Sequence, residues 1–231
     1  MLSPTHLNLR VRQRTGADAP LSFTADCLTC CGWVGRDRAA LQAHIDELAH
    51  LGVPPPTRVP IYMNFSTYLL TVDDEITVVS DRSSGEVEYV LLCKGGDVWV
   101  TVGSDQTDRD IETKSISASK QMYAKCLAQE CWPYGDVRDH WDTLVLRCWV
   151  TKDGARTLYQ EAPLESILAP EELFARVPDR RPEEGLVLFS GTIATRGGLV
   201  YGDAYDLELE DPRLGRSIGM TYRVTILPQH V

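Results

Sequence analysis

Leu7, Leu9 and Val11 alternate with Asn8, Arg10 and Arg12, the two-residue period of a strand with one buried face. Residues 21–31 form a second β-like run. Further on, residues 86–93 (EVEYVLLC) and 97–104 (DVWVTVGS) flank Lys94-Gly95-Gly96, and 144–150 (LVLRCWV) and 155–160 (ARTLYQ) flank Lys152-Asp153-Gly154. Both are hairpin signals. Residues 186–190, 204–210 and 217–227 complete the predicted strands.

Helical patterns are fewer. One is predicted over 38–51, with Asp37 as N-cap, Gly52 as C-terminal stop and Pro54-Pro55-Pro56 blocking continuation. A second is predicted over 117–128, and a short third starts at Pro170-Glu171-Glu172. The stretch 178–184 (PDRRPEE) reads as a loop within a domain rather than a boundary. The expectation is one mainly β domain with a few helices (α+β) over 1–231. Its N-terminal strands occupy 1–35.

Composition excludes several function classes. The 231 residues are 43% hydrophobic and 24% charged, ordinary for a globular chain large enough to build its own core. Thirty-three acidic against 23 basic side chains give a formal net charge of −10, which disfavours nucleic acid and anionic membrane surfaces. The N-terminus lacks the apolar run of a secretory signal, and residues 59–72 are too short and polar to span a bilayer. A cytoplasmic location is expected. Of seven cysteines only Cys27, Cys30 and Cys31 cluster, and nothing nearby completes a four-ligand zinc set. They read as small buried residues carrying reduced thiols.

The candidate chemistry begins at Glu86-Val87-Glu88. On a strand the two carboxylates project to the same side. At about 4 Å they repel by roughly 4 kcal/mol at an effective dielectric near 20. Such a pair is solvated, shares a proton or holds a cation. Asp105, just past the partner strand, can reach the same end of the sheet. It serves either an Asx turn or, with the two glutamates, a hard-oxygen site for Mg²⁺ or Mn²⁺. Lys120 lies beside Met122 and Tyr123. It is a surface lysine or a partly buried ammonium able to stabilise developing negative charge. His44 and Glu47 share a helical face, as a surface pair or as a base with its orienting carboxylate. Ser190-Gly191-Thr192 ends a strand, where small residues admit a ligand close to the backbone or simply make a turn.

In this order the pieces resemble the fumarylacetoacetate hydrolase superfamily. The motifs are His44-x-x-Glu47, Glu86-x-Glu88 and Asp105-Gln106-Thr107-Asp108-Arg109-Asp110. Lys120, Gly191-Thr192 and Gly202-Asp203 before YDLELE follow. The resemblance implies a mixed β-roll or β-sandwich roll, usually dimeric, with residues 36–53 as a lid helix. It implies Mg²⁺ or Mn²⁺ held by Glu86, Glu88 and Asp105. His44, Glu47 and Lys120 are then the catalytic groups, and Gln106, Gly191 and Thr192 bind substrate. The implied activity is hydrolysis or decarboxylation at a C–C bond of a small anionic 2-oxo acid or 1,3-dicarbonyl acid, through a metal-bound enolate. A hydratase or tautomerase using the same metal is the alternative. So is a non-catalytic binding protein on the same fold.

Overall fold

The strand Thr5–Val11 buries Leu7, Leu9 and Val11 and exposes His6, Asn8 and Arg10, as its alternation dictates. The computed structural model describes residues 4–50, 55–177 and 184–229. Among these the architecture is mainly β, two curled sheets and a two-stranded pairing of Ser83–Ser84 with Thr107–Asp108, with short helices between the strands. A ten-stranded sheet runs Ala19–Ala25, Thr5–Val11, Glu130–Pro133, Asp97–Asp105, Val87–Lys94, Glu184–Phe189, Cys27–Gly32 and Ile61–Phe65, with two short strands off this path. A five-stranded sheet runs Ala155–Pro163, Val145–Lys152, Ala204–Asp211, Arg216–Ile226 and Glu75–Val78. Both sheets are mixed: Glu184–Phe189 is parallel to Cys27–Gly32, and Arg216–Ile226 is parallel to Glu75–Val78.

Both expected hairpins are present. Gly95 and Gly96 (φ 62° and 87°) join Val87–Lys94 to Asp97–Asp105, and Asp153 and Gly154 (φ 50° and 78°) join Val145–Lys152 to Ala155–Pro163. Positive φ at both central residues matches the right-handed strand twist, which is why glycine and aspartate occupy these turns.

The central strand Val87–Lys94 is buried on both faces. Val87, Tyr89, Leu91 and Cys93 pack into the core between the sheets, with Leu146, Cys148, Tyr205, Leu207 and Tyr222. Val90 and Leu92 face the interior of the roll, against Leu28, Cys30, Phe65, Leu127 and Phe189. Glu88 shares this second face, so a carboxylate enters an otherwise apolar interior. All seven cysteines are buried, as expected.

The helix predicted over 38–51 spans Arg38–His50, and Asp37 Oδ1 accepts from the N–H groups of Ala39 (2.9 Å) and Ala40 (3.0 Å) as its cap. Gly52 and Pro54, the side chains of His44 and Glu47, and most of the 178–184 loop lie outside the described residues. The helix predicted over 117–128 is corrected. It spans only Ile116–Gln121, and Lys125–Leu127 is a strand paired antiparallel with Asp97–Asp105. The apolar Cys126 and Leu127 gain more by joining the sheet and its core than by extending a short helix. A helix at Pro170–Phe174 is present, with Glu172 Oε2 accepting from Ala169 N–H at 3.0 Å. No helix among the described residues is long and apolar enough to cross a membrane.

Candidate metal and active site

One hairpin supplies three acids. Val87 pairs with Ser104, Glu88 with Gly103, and Asp105 N–H donates to Glu86 C=O at 3.1 Å. This register sets Asp105 opposite Glu86, with Glu88 two residues along the same face. One carboxylate oxygen from each of Glu86, Glu88 and Asp105 lies within 4.8 Å of the others, the one such grouping of potential metal ligands among the described residues. The convergence read from spacing is present. The Cys27, Cys30 and Cys31 group is not part of it: burial pushes the Cys30 and Cys31 thiols up, with acidic neighbours adding to the shift. Thiolate ligands are disfavoured there.

Three cations answer the three acids. Lys120 Nζ bridges Glu86 Oε2 (2.7 Å) and Asp105 Oδ2 (2.8 Å) and reaches Thr107 Oγ1 (3.2 Å). Arg109 donates to Glu86 Oε1 (3.0 Å), Ser84 Oγ (2.8 Å) and Glu112 Oε2 (2.8 Å). Lys125 Nζ stands 2.7 Å from Asp105 Oδ1. Of the two readings of Lys120, surface lysine or partly buried ammonium, the side chain is buried. Burial works against its charge, but Asp105, Glu86 and Glu88 more than offset this and raise its pKa. Glu86 behaves in the same way. Burial opposes its ionisation, yet Lys120 and Arg109 hold its carboxyl at about 2.

Glu88 differs. Burial, then the charge of Asp105, push its carboxyl well above the ordinary range, against the opposing pull of Lys120. Its Oε2 accepts from Gly191 N–H at 2.7 Å, while its buried Oε1 has no hydrogen-bond partner. An orphaned carboxylate oxygen aimed among two further carboxylates fits a hard divalent cation such as Mg²⁺ or Mn²⁺. The Lys120 ammonium, spanning two of the three acids, occupies the kind of position a shared cation takes.

The expected substrate-binding residues border this cluster and are held from behind. Gln106 is fully buried, donating to Ser83 Oγ (3.0 Å) and accepting from Tyr222 O–H (2.9 Å). Gly191 has φ 85°, and a Cβ there would come within 2.8 Å of Val34 Cγ2. Thr192 Oγ1 donates to Val87 C=O (2.8 Å) and accepts from Gln160 Nε2 (2.8 Å). His44 and Glu47 lie three apart on the helix Arg38–His50.

Sequence reasoning missed Lys125 and Gln160 and gave Arg109 no role. Lys125 carries a signal, an isolated charge inside the apolar run YAKCLA. Gln160 carries none. It faces inward because the strand pairing slips between Cys148 and Trp149, and it then clamps Val87 N–H (3.0 Å) and Ile193 C=O (2.6 Å).

A family model described as a protein of unknown function (DUF2848) matches residues 31–222. The chain belongs to this family. No curated protein matches the DUF2848 chain. Solved structures do. A fumarylpyruvate hydrolase from Pseudomonas aeruginosa, in complex with Mn²⁺ and pyruvate, is 17% identical with a TM-score of 0.63, covering 98% of each chain. A 2-keto-3-deoxy-D-arabinonate dehydratase complexed with magnesium and 2,5-dioxopentanoate is 14% identical with a TM-score of 0.63, covering 91% of this chain and 77% of that one. An Oleispira antarctica protein, provisionally a fumarylacetoacetate isomerase/hydrolase, is 18% identical with a TM-score of 0.63, covering 89% and 96%. The DUF2848 chain therefore has the fold of the fumarylacetoacetate hydrolase superfamily, as the motif order implied.

Proposed function

We propose that this protein is a divalent-metal-dependent enzyme acting on a C–C bond of a small 2-oxo or 1,3-dicarbonyl acid, as a hydrolase or decarboxylase. The observation that carries the reading is the convergence of Glu86, Glu88 and Asp105 with Glu88 Oε1 unpartnered. These three residues would hold Mg²⁺ or Mn²⁺. Such an ion supplies Lewis acidity toward an oxo oxygen.

The chain's own groups do the rest. Lys120, released from its bridge between Glu86 and Asp105, lies within reach of the same position and stabilises negative charge developing on the substrate. Gln106, Gly191 and Thr192 form the wall against which the substrate carboxylate rests. His44, oriented by Glu47, takes the proton of the attacking water, and the helix carrying them covers the site. The two metal-bound structural neighbours, complexed with pyruvate and 2,5-dioxopentanoate, support the substrate class. The dehydratase among them favours a second reading, dehydration or tautomerisation by the same residues without hydrolytic water.

Two measurements test this. Calorimetry with Mn²⁺ and Mg²⁺ should show binding by wild type and sharply weaker binding by Glu88→Gln. A panel of 2-oxo and 1,3-dicarbonyl acids should then yield cleavage products in the presence of the bound metal. Absence of binding at millimolar metal would overturn the metal reading. Products that keep the carbon skeleton intact would decide for dehydration or tautomerisation.

A further inference from the structure

One tyrosine of the five-stranded sheet reaches the back of the segments that carry the acids. Tyr222 lies on Arg216–Ile226, is fully buried, and stacks on Tyr205 with ring centroids 5.4 Å apart. Its O–H donates to Gln106 Oε1 (2.9 Å) and stands 2.8 Å from Ser104 Oγ. A phenol has one proton, so with that proton on Gln106 the Ser104 hydroxyl donates to the phenol oxygen. Ser104 Oγ in turn accepts from Glu86 N–H at 3.2 Å, and Gln106 Nε2 donates to Ser83 Oγ at 3.0 Å. Burial raises the Tyr222 pKa well above the ordinary tyrosine value, so the donating proton stays on.

Successive side chains of an extended segment point to opposite faces. Ser104 and Gln106 turn toward Tyr222, and Asp105 between them turns the other way, to Glu86 and Glu88. The phenol oxygen thus fastens both chain neighbours of Asp105 and, through Ser104, the N–H of Glu86. It also lies against Gly85, where a Cβ would come within 2.3 Å of it and 2.7 Å of Ser104 Oγ. Glycine at 85 lets the chain pass this close to the phenol just before Glu86. A phenylalanine at 222 would keep the ring packing and leave Ser104 and Gln106 without their shared partner. A buried chain of hydrogen bonds with every member satisfied rigidifies the groups it joins. Here those groups are the backbone on either side of two acids.

We propose that Tyr222 is a positioning residue of the acid cluster, which sets the directions of Asp105 and Glu86 for a divalent ion from the opposite sheet. The inference rests on the metal reading above. It gives the five-stranded sheet, which supplies none of the three acids, a part in their geometry.

The test is Mn²⁺ binding by calorimetry, the Mn²⁺ electron paramagnetic resonance spectrum and a thermal melt, on wild type, Tyr222→Phe and Tyr89→Phe. Each substitution deletes one buried phenol oxygen. Tyr89 is as buried as Tyr222 and lies on the acid strand, but its O–H donates to Leu168 C=O (2.6 Å), a group outside the cluster. Both variants should melt at a lower temperature than wild type. Tyr222→Phe alone should weaken Mn²⁺ binding, by about tenfold, the lower end of what groups that orient metal ligands are worth, and change the spectrum. A merely structural tyrosine would leave affinity and spectrum unchanged in the folded protein. That result overturns the proposal, as do equal changes in the two variants. If Tyr222→Phe does not fold, Ser104→Ala breaks the link between the phenol and Glu86 from the other end. A changed Mn²⁺ spectrum then supports the role, and an unchanged one overturns it. Wild type that binds no Mn²⁺ overturns the metal reading and this proposal with it. Wild type that binds while Tyr222→Phe is unaffected overturns this proposal alone.

Discussion

Gly191 N–H donates to Glu88 Oε2 at 2.7 Å, joining a left-handed glycine to a fully buried acid of the cluster. With φ 85°, and Val34 Cγ2 only 2.8 Å from where a Cβ would stand, the position tolerates no side chain without movement. Gly191→Ala should destabilise the fold by about 1–3 kcal/mol and move the bond to Glu88. A thermal melt reads the loss, and Mn²⁺ affinity should weaken with it. An unchanged melting temperature would show that the loop relaxes freely.

Glu88 makes metal binding pH-dependent. Its carboxyl is raised by burial first, then by Asp105. In the metal-free protein the protonated form contributes stability fully present below the unfolded value of about 4.3 and lost as pH rises through the higher folded value. A cation must displace that proton. Affinity should therefore rise with pH, with up to about one proton released per ion. Calorimetry in two buffers of different ionisation enthalpy counts the proton, and zero release across the acid range would contradict the assignment.

Lys120→Met separates two roles of one ammonium. It removes the bridge between Glu86 and Asp105, so Mn²⁺ should bind more tightly. It also removes the charge proposed to stabilise the substrate, so turnover should fall by roughly 10²–10³-fold. Tighter binding with turnover intact would leave Lys120 as a counter-ion only.

Gln160 holds the outer wall to the acid strand through Val87, Thr192 and Ile193. Gln160→Leu strands a buried N–H and a buried C=O, at a cost of about 1–3 kcal/mol each. The melting temperature should drop. Metal affinity should drop less than in Glu88→Gln, since no acid is lost.

His44→Ala should lower turnover by roughly 10²–10⁴-fold if a water must be deprotonated. Metal affinity should be unchanged, because His44 is not among the proposed ligands. A dehydratase or tautomerase relying on the metal and Lys120 would lose far less, so steady-state kinetics on the active substrate distinguishes the two.

The strands and both hairpins were legible because alternation and paired turn residues are local properties. Glu86, Glu88 and Asp105 were legible for the same reason, all lying on one hairpin whose register the glycine pair sets. Lys125 was not. Its neighbours Met122, Tyr123 and Ala124 suit a helix, and only pairing with Asp97–Asp105 on one side and Leu70–Thr71 on the other makes this segment a strand. Gln160 was invisible, since an irregularity in pairing between distant strands decides which way it faces. The small strands Ile61–Phe65 and Glu75–Val78 owe their conformation to partners from other parts of the chain.

The Gly95-Gly96 turn also bears on when the site forms. Hairpins close in about 1–10 μs, well before distant strands meet. Closure of Val87–Lys94 on Asp97–Asp105 aligns all three acids in a single local event. Until Lys120, Lys125 and Arg109 arrive, that nascent hairpin holds Glu86 directly opposite Asp105, a like-charge pair that weakens the native register, so the glycine turn and the apolar cross-strand pairs must hold it. The acids that mark the finished site thus burden the hairpin that bears them until cations from the following segment neutralise them.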